Sequence, residues 1–259
     1  MTARRWTAFA AAGHFAYDSK SVKKHWARLH ACDQEALPSS PELLGAWALL
    51  HNGHFEAAHQ AGLRLGDAGT TLANRAACIY AAQLEHMENE RLALYQAVSE
   101  RAAAQTQHQP DNPNAHYLLA YSLGRYGQGI SVAKGLAQGL GGRIKDALET
   151  TIALQPRHAD AHFALGAFHA EIIDKVGPLI GNMTYGAKRD VSLEHFKEGF
   201  ALQPHSPIGL VEYAMALLML EGDARQEEAT ALYAQAAALQ AVDAREYLDI
   251  AVARRGLGA

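Results

Sequence analysis

The sequence predicts an all-α protein in which helix pairs stack into a right-handed α-α superhelix. The first observation is a phrase that occurs three times, Gln-Pro followed within a few residues by small and apolar residues. Its prolines, Pro110, Pro156 and Pro204, lie 46 and 48 residues apart by difference of their numbers. Self-similarity at such a period is typical of helical solenoids. The second observation is that no segment alternates strictly between apolar and polar residues, as a half-buried strand would.

The composition predicts one folded domain, residues 1–259, that does not bind nucleic acid. A chain of 259 residues with 49% hydrophobic residues can bury a sizeable core. Its formal net charge is −4, from 23 basic and 27 acidic residues, and it has no long basic run. Proteins that bind nucleic acid usually show a basic excess on one face, so this class is disfavoured.

The cysteines and the N-terminus predict a protein of the reducing cytoplasm. Cys32 and Cys78 belong to no CxxC pair, so we expect small core residues and neither a disulfide nor a zinc site. Arg4-Arg5 followed by apolar residues is similar to the start of an export signal, but Gly13-His14 interrupts the apolar run and we predict no signal peptide. No stretch approaches the roughly 20 apolar residues of a membrane-spanning helix.

The first part of the chain is predicted to be helical throughout. Residues 1–40 form an N-terminal helical segment, with one or two helices over 1–37, because Trp26, Leu29 and His30 share one helix face. The break Pro38-Ser39-Ser40-Pro41 supplies a serine cap and a proline for the next helix.

Residues 41–109 are predicted to hold degenerate repeats. Asn52-Gly53 is a turn between helices over 43–50 and 55–65. Thr70 or Thr71 caps a helix that runs to about Glu85, and a further helix covers 88–107.

Residues 110–240 hold the clearest repeats, and residues 241–259 are predicted to be a C-terminal capping helix. Helices end at Gln109, Gln155 and Gln203, because the residue before a proline is disfavoured in the helical conformation. Small residues mark the places where two helices approach closely. These are Ala115, Ala120, Ala161, Gly166 and Ala214.

Two of the repeat units are longer than a helix pair requires, by about 12–14 residues over a usual period of about 34. The excess lies between the two helices of each unit, at residues 127–142 and 172–186, and mixes glycine with apolar residues. Insertions in solenoids map to one face, which is often the binding face. We therefore expect function to be concentrated at these two inserts.

His162, Leu165-Gly166 and His169 fall where the tetratricopeptide repeat (TPR) has its aromatic, Leu-Gly and tyrosine positions. The sequence therefore resembles this repeat. The resemblance covers most of residues 41–240 and is strongest over 110–240. Further matches to its turn and its second helix are Gly53 to Ala58, Ser192, Phe196, Gly199 through Pro204, Ala229, Tyr233 and Ala236.

The long repeat unit, with an insert before a second helix that ends in Ala-Leu-Gln-Pro, is similar to the regulator of microtubule dynamics family. It is more loosely similar to the periplasmic T-components of TRAP transporters. The resemblance implies protein binding and, for T-components, hydrophobic ligands; it implies no catalytic residue. T-components are normally exported lipoproteins, and this sequence has no lipobox cysteine.

The helical register predicts which residues face the concave groove. The basic and asparagine clamp of chaperone-binding repeats is absent, because the inner positions are mainly aromatic and aliphatic. Such a groove would accept an amphipathic helix or an apolar peptide, or would be filled by the chain's own N-terminal segment or inserts. The inner-face positions are Tyr117, Tyr121, Asp160, Phe163, Val211 and Met215.

Polar residues of the inserts are the second set of binding candidates. A cluster of basic side chains would bind an anion, or would form a solvated rim, which is the more usual environment of lysine. Asn182 and Tyr185 are the polar contacts if the inserts form a pocket. The basic residues are Lys134, Arg143, Lys175, Lys188 and Arg189.

The sequence gives only weak support for a metal-binding or catalytic site. His158, His162 and His169 are spaced so that one helix face could present all three, but two of them occupy core positions of the repeat. Ser131 and Lys134 form an SxxK that lacks the accompanying elements of penicillin-recognising enzymes. We predict no cofactor.

Three functions remain open from the sequence, and the oligomeric state is not predicted. The first is a non-enzymatic scaffold that binds a protein or peptide through the groove and inserts. The second is a small-ligand protein whose pocket for an apolar or anionic molecule is formed by the inserts. The third and least supported is a metal-dependent enzyme built on the histidines.

Overall fold

The chain, known from a computed structural model that describes residues 5–258, is all helical in that range and contains no strand there. Fourteen α helices follow one another, with short 3₁₀ turns at Gly66–Gly69 and Gly222–Arg225. The helices are α1 (Ser19–Leu29), α2 (Pro41–His51), α3 (Phe55–Arg64), α4 (Thr70–Gln83), α5 (Glu88–His108), α6 (Pro113–Gln128), α7 (Val132–Ala137), α8 (Leu140–Leu154), α9 (Ala159–Val176), α10 (Pro178–Tyr185), α11 (Arg189–Leu202), α12 (Pro207–Glu221), α13 (Gln226–Ala237) and α14 (Ala244–Gly256).

The boundaries of the repeated helices follow from local capping. Helices α5, α8 and α11 end at Gln109, Gln155 and Gln203, as the sequence predicts. The next helix begins three residues after each proline, where a side chain accepts a backbone N–H of the first turn. Asn112 and Ser206 do so directly before Pro113 and Pro207, which combines a favoured N-cap with a favoured first residue.

The helices pair and then stack into an α-α superhelix. The pairs are α2/α3, α4/α5, α6/α8, α9/α11 and α12/α13, with α14 in the place of a further first helix. Successive first helices α4, α6, α9, α12 and α14 line the inner side, and the second helices form the outer layer. The two short helices α7 and α10 interrupt two of these inner–outer connections, between α6 and α8 and between α9 and α11.

The superhelix curves so far that its two ends meet. Helix α14 contacts α2, and Ala244 and Leu248 belong to the same buried cluster as Trp47 and Leu50. The Tyr17 hydroxyl donates to the carbonyl of residue 242 at 2.7 Å. The inner helices therefore form a nearly closed ring rather than an open groove.

The N-terminal segment contains one helix, α1, in its described part, in agreement with the prediction of one or two helices over residues 1–37. Asp18 caps the start of α1, and the chain leaves the helix at His30. Before α1 the segment makes aromatic contacts: Trp6 stacks on Tyr80 with ring centroids 4.2 Å apart. Arg4, which belongs to the basic pair before the apolar N-terminal run, lies outside the described residues.

The two inserts are shorter than the sequence indicates. Helix α6 continues to Gln128 and α9 to Val176, so the connecting segments are residues 129–139 and 177–188. Each contains one short helix, α7 or α10. We refer to these two segments as the insert lip. Among residues 5–258 no helix is both long enough and apolar enough to cross a membrane.

Candidate functional site

A cavity of about 620 Å³ lies inside the ring. Its walls come from the inner helices α4, α6, α9, α12 and α14, with α5, α8 and the insert lip at the edge. On α9 alone the lining runs from Asp160 to Val176, which is about 24 Å at 1.5 Å per residue. The cavity therefore extends along most of the length of the inner helices.

Six of the predicted binding residues line this cavity. Tyr117, Tyr121, Asp160 and Phe163 do so from α6 and α9. Lys175 and Tyr185 line it at the end of α9 and on α10. Val211 and Met215, the remaining predicted inner-face residues, also belong to the wall. The helical register thus located the inner face correctly, while any role in binding stays a prediction.

The other four predicted site residues lie outside the cavity. Lys134, Arg143, Asn182 and Lys188 are exposed on or beside the insert lip. Lys134 lies over the ring of Tyr126, with 5.7 Å between Nζ and the ring centroid. These four residues lie on the molecular surface near the lip and do not contribute to the cavity wall.

Five arginines that the sequence does not indicate line the same wall, so the groove is not simply aromatic and aliphatic. Two of them, Arg91 and Arg255, lie on α5 and α14, and the other three, Arg75, Arg125 and Arg245, come from α4, α6 and α14. Each of these three is held by a carboxylate: Arg75 by Asp33 at 3.0 Å, Arg125 by Glu212 at 2.6 Å and Arg245 by Asp160 at 2.7 Å. Of the three, Arg125 could have been found, since it lies one turn beyond Tyr121 on the same helix face.

The first turns of the inner helices converge on residues 31–35, which close one end of the ring. The backbone carbonyl of Cys32 accepts the N–H of Asp160 at 3.1 Å, and that of Asp33 accepts the Asn114 side chain at 3.0 Å. The Ala31 carbonyl accepts the Gln203 side chain at 3.3 Å. This segment packs behind Arg75 and Asp160 and does not itself line the cavity; we call this end of the cavity the floor.

The opposite end of the cavity is bordered by the insert lip. Ser131, Val132, Gly135 and Leu136 line it from the first insert, and Tyr185 from the second. Both inserts contact the start of α8, where the Tyr185 ring packs on Gly141. The lip therefore forms the mouth of the cavity.

Two buried polar atoms beside the cavity have no hydrogen-bond partner in the described protein. They are Nε of Arg75 and Oδ1 of Asp160. Both residues line the cavity, and their side chains are 5% and 1% exposed. A buried donor or acceptor without a partner costs about 1–3 kcal/mol. A bound molecule or water that reached these atoms would recover that cost.

Asp249 gives the wall a carboxyl group that titrates near neutrality. Its pKa is raised to about 7, chiefly by burial, with Asp160, Asp243 and Glu246 adding to the effect and Arg245 opposing it. Below that pH the carboxyl group is protonated and neutral, so the cavity wall carries one negative charge fewer.

The three histidines considered for metal binding do not converge. His158 caps α9 by accepting the N–H of Ala161 at 3.0 Å, and its other nitrogen contacts Asn114. His162 contacts His195, and His169 accepts the N–H of Lys188 at 3.3 Å. Burial lowers the pKa of His158 and of His169 to about 4. Within residues 5–258 no group of three His, Cys, Asp or Glu side chains is placed to hold a metal ion.

The remaining reactive residues have structural roles. Ser131 of the SxxK is the N-cap of α7 and accepts the N–H of Lys134 at 3.3 Å. Cys78 lines the cavity, but burial raises the pKa of its thiol to about 12, which makes it a poor nucleophile at neutral pH. Burial also raises the pKa of Cys32.

Comparison with known proteins supports the fold. The structure is similar to the crystal structure of a thermophilic TPR protein from Thermus thermophilus, with a TM-score of 0.58 and 18% sequence identity. The match covers 83% of this chain and 97% of that one. It confirms a TPR-like α-α superhelix; the similarity to the regulator of microtubule dynamics family and to T-components stays a prediction.

Two further comparisons gave no match. No protein-family model matches the sequence. No curated protein matches it either.

Proposed function

We propose that this protein is a non-enzymatic binding protein that holds a small amphipathic molecule in the cavity of its helical ring. The observation that carries the proposal is a cavity of about 620 Å³ lined by aromatic side chains and five arginines. Small-molecule sites are typically concave, mostly apolar and about 300–1,000 Å³ in volume, with a few placed polar groups.

The size of the cavity favours a small ligand over an amphipathic helix. The cavity volume of about 620 Å³ lies within the range of about 300–1,000 Å³ that is typical of small-molecule sites. Helix α14 already lies along the inner side, where such a helix would pack.

The lining supports a ligand with an apolar body and an anionic group. Phe163, Phe168 and Tyr117 offer apolar surface, while Arg75 and Arg245 stand at the floor end. The lining contains six basic and five acidic residues, and Asp33, behind the wall, pairs with Arg75, so the formal charges balance. Protonation of Asp249 below about pH 7 leaves an excess of one positive charge.

We also propose that the protein is not an enzyme, because the pKa values of its buried histidine and cysteine do not suit catalysis. His158 is a helix cap, and its pKa of about 4 keeps it neutral. The Cys78 thiol, with a pKa of about 12, is protonated at neutral pH. A general base or a nucleophile needs a pKa nearer to the working pH. The cytoplasmic location also stays a prediction.

A second candidate is the scaffold function, with a short peptide as ligand. It is favoured by the TPR-like fold, because solenoids commonly present their concave surface to a partner. The cavity would then receive an extended chain end rather than a helix. The two candidates share one site and differ in the chemical nature of what is bound.

The test uses the full chain and a variant that fills the cavity. Gly124 lines the cavity from α6, and no atom lies within 4 Å of the position that a side chain's Cβ would take. Gly124→Leu should therefore occupy the cavity without displacing native contacts. Gly142→Leu is the matched control, since Gly142 in α8 has the same free space but does not line the cavity.

We expect native mass spectrometry of the purified protein to show a bound small molecule that Gly124→Leu lacks and Gly142→Leu retains. The anionic apolar dye anilinonaphthalene sulfonate should bind Gly124→Leu at least about tenfold more weakly than the wild type. Equal dye affinity in the wild type and Gly124→Leu, with no bound mass in either, would contradict the proposal. A bound mass that fragments as a peptide would support the scaffold function instead.

A further inference from the structure

Exposed apolar side chains are concentrated on the insert lip. Ten large hydrophobic residues are exposed among residues 5–258, and five of them lie on the lip, although it is less than a tenth of the chain. They are Val132, Leu136, Leu179, Ile180 and Met183. Scattered single residues of this kind are normal on a surface, whereas a cluster marks an interaction site.

The second insert presents its apolar residues outwards. Gly181 and Tyr185 of α10 face the protein, against Ile172 and Gly141. Leu179, Ile180 and Met183 lie on the opposite face and are 72%, 58% and 79% exposed. Side chains as exposed as these protrude from the surface and do not line a groove.

The first insert also exposes apolar side chains, and it does so beside the cavity mouth. Helix α7 contains no buried residue, and Val132 and Leu136 are 47% and 49% exposed while they border the cavity. Both inserts contact the start of α8, so the two apolar segments belong to one end of the ring.

The region around the lip is basic in an acidic protein. Residues 127–145 and 172–189 contain six Lys or Arg and one Asp, a formal charge of +5 in a chain that carries −4. Four carboxylates outside these ranges pair with three of the six cations, so the positive charge of this end rests on the other three. These unpaired cations suit this end of the molecule to contact with an anionic surface.

Half of these basic side chains are not neutralised by the protein. Lys145, Lys175 and Arg189 pair with Glu149, Glu171 and Glu221, and Arg189 also with Asp190. The other three have no ion pair within the described residues. They are Lys134, Arg143 and Lys188, each exposed.

We propose that the insert lip docks on the surface of an anionic lipid membrane. Leu179, Ile180 and Met183 enter the boundary between head groups and acyl chains, and the unpaired basic residues contact the anionic head groups. Protruding apolar side chains flanked by lysine and arginine are the combination that binds at such an interface. A protein partner would more often insert its own anchor into a well-packed pocket. The inference does not depend on the cavity holding a ligand.

The test is co-sedimentation of the full chain with lipid vesicles. One set contains phosphatidylcholine alone, and a second set contains phosphatidylcholine with phosphatidylglycerol as a third of the lipid. We expect binding to the anionic vesicles and, because each of three free charges contributes about fivefold, roughly hundredfold weaker binding to the neutral ones. Added salt should reduce the binding, because it screens these charges.

Two variants separate the apolar and the electrostatic contributions. Leu179→Ser with Met183→Ser should weaken binding to anionic vesicles about tenfold or more, because it removes the inserted apolar surface. The matched control, Leu37→Ser with Leu63→Ser, changes two exposed leucines elsewhere and should bind as the wild type does. Replacing Lys134, Arg143 and Lys188 by glutamine should abolish the preference for anionic vesicles.

Several results would overturn the proposal. One is a wild-type protein that does not sediment with anionic vesicles. Another is equal binding by the lip double variant and its leucine control. A third comes from light scattering: a wild-type dimer that becomes monomeric in the lip variant would assign the surface to contact between copies. Circular dichroism and thermal melting establish that each variant is folded, as is expected for substitutions at exposed positions.

Discussion

At the scale of single residues, the buried carboxyl group of Asp249 makes the stability of the protein depend on pH. It lies on α14, is 7% exposed and lines the cavity. Burial is the main cause of its raised pKa of about 7, compared with an ordinary value of 3.8. A group with a raised pKa in the folded state favours folding when it is protonated.

Because the pKa of Asp249 is higher in the folded protein than its ordinary value, the effect of this residue on stability becomes less favourable as pH rises. The stabilising contribution of Asp249 is complete below about pH 4 and is lost as pH rises through about 7. Asp249→Asn keeps a neutral side chain at every pH. Relative to the wild type, the variant should therefore be more stable at pH 8 than at pH 5, by about 2 kcal/mol.

Chemical unfolding of the wild type and Asp249→Asn at both pH values measures this difference. Asp223→Asn, at an exposed aspartate of the last 3₁₀ turn, is the control and should show no such change. An identical pH dependence in the wild type and Asp249→Asn would show that Asp249 is ionised in the folded protein throughout this range.

At the scale of helices, α9, α11 and α12 are held together by an aromatic side chain between two glycines. Phe163 on α9 packs against α11 and α12 at Gly199 and Gly209. A Cβ at Gly199 would lie 2.4 Å from the Phe163 ring, and one at Gly209 would lie 2.6 Å from it. The three helices can approach this closely only because both positions lack a side chain.

Gly199→Ala should destabilise the protein by about 1–3 kcal/mol, because a well-packed core does not accept an added methyl group without displacement. Gly124→Ala is the matched control, since Gly124 is also helical but has free space around its Cβ position. There the substitution should stabilise by about 0.5–1 kcal/mol through helix propensity. Equal effects of the two substitutions on the free energy of unfolding would refute the packing argument.

At the scale of the whole molecule, the contact between the two ends makes this superhelix different from an open solenoid. In an open array each repeat contacts only its neighbours, and stability is nearly a sum of local terms. Here the His51 ring donates to Asp243 at 2.7 Å, across 192 positions of the sequence. Arg28 pairs with Glu246 in the same region. A substitution that destabilises α14 should therefore also reduce the stability of the first helices.

Asp243→Ala tests this coupling. Asp243 caps α14 and is also the partner of the buried His51, so we expect a loss of about 2–3 kcal/mol. Hydrogen exchange should become faster in α2 as well as in α14. Asn112→Ala removes the cap of α6, which has no extensive contact with either α2 or α14, and should cost about 1 kcal/mol without changing α2. Faster exchange confined to α13 and α14 after Asp243→Ala would mean that the ends are not coupled.

The sequence by itself determined the helical class, the repeat boundaries and the inner face, because these depend on interactions over a few residues. Gln155-Pro156 ends a helix wherever it occurs, and the register of α6 places Tyr117 and Tyr121 on one face. The position of the inserts was predictable for the same reason, as an excess over the repeat length.

Only the tertiary structure decided that the groove is closed to a cavity and that its wall contains arginines. Arg75, Arg125 and Arg245 come from helices far apart in the sequence, and each is stabilised by a carboxylate on another element. The contact between Trp6 and Tyr80 likewise joins the N-terminal segment to α4, which follows much later in the sequence. Small changes in angle between successive helix pairs add up along the chain, so the curvature that brings α14 to α2 is a property of all the interfaces together.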